Sequence, residues 1–88
     1  MVKELTNNTL RIRFENNLTV KNLEKILKEF RNLEKIQKDI IYLDFSLVDE
    51  MDELCFDFVL GSINKSFEEI NIVNLNTSLA RRFLKETA

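Results

Sequence analysis

The sequence predicts a small α/β fold over residues 1–88: one domain, a mixed four-stranded sheet with an N-terminal hairpin, and about three helices in the order ββαβαβα. Three observations predict it. Near the N-terminus Leu10, Ile12 and Phe14 alternate with Arg11 and Arg13, and period two is strand patterning. The stretch IIYLDF at 40–45 is almost continuously apolar, as in a strand that is covered on both sides or lies at a sheet centre. Segments with helical spacing separate the later strands, and such alternation favours right-handed crossovers between parallel neighbours.

In order, Val2 to Leu5 is a short strand that turns through Asn7 and Asn8 into the alternating strand at Leu10 to Phe14. Asn16 and Asn17 end that strand, and Thr19 is placed to cap a helix. Val20, Leu23, Ile26, Leu27, Phe30 and Leu33 draw one apolar stripe along this helix. A charged connection at Lys35 to Asp39 leads into IIYLDF. Met51 to Ile63 forms the second helix, and Ile70, Ile72 and Val73 lie on the last strand. The final helix runs from about Ser78 to Glu86, capped by Thr77 or Asn76, with Leu79, Phe83 and Leu84 turned inward.

Composition narrows the function. Hydrophobic residues make up 44% and charged residues 32% of the 88, ordinary for a folded domain. The net charge is −2 and the basic residues are scattered, without aromatic residues interleaved between them, so the footprint of a nucleic-acid binder is missing. No apolar run reaches 18 residues and the first residues carry no oily segment, which predicts a cytoplasmic protein without membrane insertion. Cys55 is the single cysteine and there is no histidine to activate it, so it is expected to be a small buried apolar group. One glycine and no proline leave no phosphate-binding loop, and ten asparagines are available for the turns.

The stretch LDFSLVDEMDELCFDFVLG, Leu43 to Gly61, resembles the central signature of STAS domains, the family of anti-sigma factor antagonists and sulfate-transporter tails. That signature runs from a strand through "LDLSGV" and an acidic turn of the form "IDSSG" into a helix that ends in glycine. Leu43, Asp44, Ser46, Val48, Met51, Asp52 and Gly61 match it without a gap. The tail INIVNLNTSLARRFLKETA is similar to the family's next strand, polar cap and helix, of the type "RRLLELTG". Together the two stretches cover about half of the 88 residues. The resemblance implies a shortened STAS-like member, since the family usually adds a final strand and helix. Where the family's switch carries serine or threonine after the aspartate, this chain has Glu53 and then Leu54, with Cys55 in place of the following glycine, so the resemblance implies a protein without the phosphorylation switch.

The acids Asp44, Asp49, Glu50, Asp52, Glu53 and Asp57 admit three readings. Acids at a helix start are favoured by its dipole and satisfy its free amides, and this reading is preferred. A divalent cation would want several oxygen ligands close together. A phosphoacceptor would need an acidic pair after the first strand, where Thr6, Asn7 and Asn8 stand instead. On the second helix, 100° spacing puts Met51, Leu54, Cys55, Phe58 and Val59 on the core face, with Glu53, Phe56, Leu60 and Ile63 aligned on another side. That second stripe is either covered within the fold or offered to a partner or a second copy.

These readings converge on a non-catalytic, regulatory interaction domain. Its expected partner-binding residues are Val48, Asp49, Glu50, Asp52, Glu53, Phe56, Asp57 and Leu60, with no catalytic residue, metal ligand or cofactor assigned. The resemblance implies an anti-sigma-type or transporter-associated ATPase as partner. Two alternatives remain: a phage or mobile-element inhibitor that blocks a host protein with its acidic surface, and a divalent-metal-binding domain at the acidic corner. A homodimer is compatible with each.

Overall fold

The computed structural model describes residues 2–33, 39–64 and 66–83. It has the expected order: β1 (Val2–Leu5), β2 (Thr9–Arg13), α1 (Val20–Leu33), β3 (Ile40–Asp44), α2 (Glu53–Ile63), β4 (Glu69–Val73) and α3 (Thr77–Phe83). The sheet is mixed, in spatial order β1-β2-β3-β4. β1 and β2 form the antiparallel hairpin, with Leu5 opposite Leu10, and β2, β3 and β4 run parallel. The connection at 34–38 and the end of the last predicted helix, including Leu84, lie outside the described residues.

IIYLDF becomes the central strand because its neighbours on both sides are parallel strands that need long crossovers. Two right-handed crossovers stepping the same way across a sheet put α1 and α2 on one face, where they pack on each other. Leu10 and Ile12 on β2, and Ile41 and Leu43 on β3, point into that layer and are fully buried. The alternate residues form the opposite face, where a row Glu4, Arg11, Tyr42 and Asn71 crosses the four strands. Arg11, Tyr42 and Asn71 are half-buried there, so β3 is central in the sheet yet covered fully on one side only.

At the starting ends of the parallel strands, main-chain bonds tie the turns together. The Asn8 carbonyl accepts from the Asp39 and Ile40 amides, and the Asp39 carbonyl accepts from Glu68 and Glu69. At the finishing ends a line of aromatic rings joins the helical layer. Phe30 of α1 stacks on Phe14, Phe14 meets Phe45, Phe45 meets Phe56 of α2, and Phe56 meets Phe83 of α3, with centroid separations of 5.1–6.3 Å. Such ring pairs contribute roughly 0.5–1.5 kcal/mol each beyond the area they bury. The line fixes all three helices against the strand ends from which the loops emerge.

Some sequence expectations change in detail. Val20, placed on the α1 stripe, is 59% exposed at the first position of the helix; Leu23 packs against the core, and Ile26 and Phe30 carry the buried part. The second helix starts at Glu53 rather than Met51. Met51 is held extended by a parallel bridge to Leu18, which takes its backbone out of the helix.

Candidate functional site: the acidic corner and the two sides of α2

The acidic corner is first of all a structural junction. Asn17, on the loop before α1, accepts the amides of Asp49 and Glu50 on its side-chain oxygen, at 2.9 and 3.2 Å. Beside it the Leu18 amide donates to the Glu50 carbonyl and the Asp52 amide donates to the Leu18 carbonyl. Asp52 occupies the N-cap position of α2 but makes no side-chain cap there. Its carboxylate instead accepts the Val20 amide, the first of α1, at 3.0 Å. A charge at a helix start is favourable by its dipole, and here the acid from one loop serves the helix of the neighbouring one. The third loop joins through Asn76, whose amide nitrogen donates to the Val48 carbonyl and whose oxygen caps α3 by accepting the Leu79 amide.

Asp44, at the end of β3, has a separate role. It is buried, and its carboxylate accepts from Arg11 at 2.9 Å, from the Ser46 amide at 2.9 Å and from the Asn74 side chain at 3.1 Å. Asn74 holds a left-handed conformation, φ 59°, that asparagine tolerates well and that a turn without glycine needs. Burial pushes the Asp44 carboxyl up, but the bonds from Asn74, Ser46 and Arg11 together outweigh it and hold it down to about 2. Asp44 is therefore a charged fastener between β2, β3 and the turn after β4, separate from the solvent-facing acids. Among the described residues no group of three or more His, Cys, Asp or Glu is placed to hold a metal ion.

The predicted partner-binding residues divide into two sets. Asp49, Glu50, Glu53 and Asp57 are exposed, Asp52 is half-buried, and these form an acidic rim around the start of α2. Val48 and Phe56 are 2% and 6% exposed, and Leu60 packs against the core. Phe56 is therefore a core residue and not part of a docking stripe, which corrects the sequence assignment. So does the outer side: Leu54 and Phe58, expected inside, are 52% and 45% exposed. The inner face is Cys55, Phe56, Val59 and Ile63. α2 is apolar at so many positions that its pattern allows two orientations about a quarter turn apart at 100° per residue. The ring line from Phe45 to Phe83 selects the orientation that puts Phe56 inward.

That orientation leaves an open, shallow groove on the solvent side, lined by Leu54, Asp57, Phe58, Gly61 and Ser62. Leu54, Phe58 and Gly61 were not singled out by the sequence reading as a surface. The available signal was Gly61 itself, a glycine inside a helix. Cys55 lies on the buried face, where burial, and then the nearby Asp52 charge, push its thiol up and away from reactivity.

No family model matches the chain, and no curated protein matches it either. Among the described residues no helix is long and apolar enough to cross a membrane.

Proposed function

We propose that the protein is a small, non-catalytic, STAS-like regulatory domain that docks on a protein partner through the solvent side of α2 and its acidic rim. The observation that carries this reading is the exposure of Leu54 and Phe58 side by side on one helix whose opposite side already fills the core. Exposed apolar side chains grouped with a polar rim are the usual signature of an interaction surface. Two of the six acids that a catalytic or metal reading would draw on are engaged within the fold, Asp44 by three donors and Asp52 by the start of α1. With Glu53 and Leu54 where the resembling family carries its switch hydroxyl, docking is constitutive. An anti-sigma-type or transporter-associated ATPase in the cytoplasm is the partner class that the resemblance supports.

A second reading, an inhibitor that blocks a basic host surface, draws on the exposed Asp49, Glu50, Glu53 and Asp57. One capture experiment from the native host's lysate tests both. Wild type is set beside a Leu54→Asp, Phe58→Asp variant shown to be folded, and retained protein is identified at low and high salt. A partner lost by the variant and held at high salt supports the apolar dock. A partner kept by the variant and released by salt supports the acidic inhibitor, because screened charge pairs weaken with ionic strength. Retention that neither the variant nor salt alters removes α2 from the account.

A further inference from the structure

Resting on the docking reading above, we infer that the occupant of the α2 groove is a basic amphipathic helix of a partner protein that crosses α2 closely at Gly61. Gly61 is the chain's only glycine and lies inside α2. A glycine there weakens a helix relative to alanine, and the fold supplies no reason for it. Its φ is not positive, so no left-handed backbone requires it. Among the described residues a Cβ placed on it meets nothing within 4 Å, so none of them excludes a side chain. One physical use of a glycine on a helix surface is to let another backbone come near. It sits in the same groove as the exposed Leu54 and Phe58, which precede it along α2 and would extend the contact with an apolar ridge from the crossing toward the start of the helix.

Charge chooses the occupant. The described solvent-facing residues of α2 include Glu53 and Asp57 and no basic residue, with Asp49 and Glu50 exposed just before the helix. A second copy meets this surface badly. Two α2 helices packed antiparallel so that each Leu54 covers the other's Gly61 are centred between Asp57 and Phe58, which brings the two Asp57 carboxylates, beside the two Phe58 rings, to the axis. Like charges set against each other reject that partner, whereas lysine or arginine flanking an apolar ridge meets Glu53 and Asp57 with opposite sign.

The test titrates the protein with two synthetic amphipathic helical peptides, one of leucine and lysine, the other of leucine and glutamate with the same leucine positions. Binding is followed by fluorescence anisotropy and located by amide chemical shifts, and the same is done with Gly61→Gln. The inference expects the lysine peptide to bind at Leu54, Phe58 and Gly61, and the glutamate peptide to bind at least about tenfold more weakly. It expects Gly61→Gln to melt no lower than wild type, since glutamine is the better helix former. That variant should nonetheless lose on the order of tenfold in affinity for the lysine peptide, because the added side chain holds the two backbones apart. Equal binding by wild type and Gly61→Gln overturns the close crossing. Equal binding of both peptides at α2 overturns the basic occupant and leaves the docking reading standing. Shifts that map away from α2 sink both. A wild-type dimer that Gly61→Gln converts to monomer, or no binding of either peptide, also overturns the inference, the former by making a second copy the occupant.

Discussion

On one side of α2, Phe56 lies between the rings of Phe45 and Phe83, 6% exposed; on the other, two residues along, Phe58 stands 45% exposed beside Leu54. The two phenylalanines have the same chemistry and neighbouring positions. What separates them is the set of rings already fixed at the ends of β2 and β3, which captures one side of the helix and has no use for the other. Hydrophobicity alone therefore does not identify the core of so small a protein. One side of the helix is core, and the other is the surface on which the proposed docking rests.

That contrast can be broken most forcefully by truncating each ring in turn. Phe56→Ala opens a cavity in the aromatic line and is expected to destabilise the fold by about 3–5 kcal/mol in urea unfolding, enough to unfold much of so small a domain. Phe58→Ala should change stability by no more than about 1 kcal/mol, as surface substitutions do. Similar losses for the two would mean that both sides are core.

The acids sharpen the same comparison between built-in and free groups. Asp44→Ala leaves the Asn74 side chain and the Ser46 amide without an acceptor, with an expected loss of about 2–3 kcal/mol, while Asp57→Ala should be nearly neutral. The pH dependence follows from the lowered Asp44 value. A carboxyl near 2 when folded and near 3.9 when unfolded contributes stability that is fully present above the unfolded value and fades as pH falls from about 4 toward 2. The contribution is on the order of 2 kcal/mol, and unfolding of wild type and Asp44→Asn across that range measures it.

Smaller effects come next. Asp52→Ala removes the acceptor of the first α1 amide and should cost about 1 kcal/mol, read from the urea midpoint. Gly61→Ala, in contrast, should stabilise the protein by roughly 0.5–1 kcal/mol, since an alanine there meets none of the described residues. A loss of stability on Gly61→Ala would point to a structural duty for the glycine.

Much of the fold was legible in the sequence because its periodic signals were strong. Leu10, Ile12 and Phe14 announced a strand, IIYLDF a central one, and Ile26 and Phe30 the inner face of α1. The rotation of α2 was not legible, since a helix apolar nearly all round lets tertiary packing decide which side is buried. The acidic corner was legible as a helix-start feature, but which helix each acid serves was not. Asp52 caps α1, 32 residues earlier in the chain, and the Leu18 to Met51 bridge that puts it there joins two loops with no mark in either one. Gly61 was visible as a residue type; that a side chain there would meet none of the described residues was not.

The most direct test of the account is to titrate isotopically labelled protein with the partner retained by the wild type and to map the amide chemical-shift changes. The account predicts that they concentrate on Leu54, Asp57, Phe58 and Gly61, with smaller changes at Asp49 to Glu53 and none along Arg11, Tyr42 and Asn71 on the opposite face of the sheet. Changes centred on that opposite face, with α2 unmoved, would contradict it.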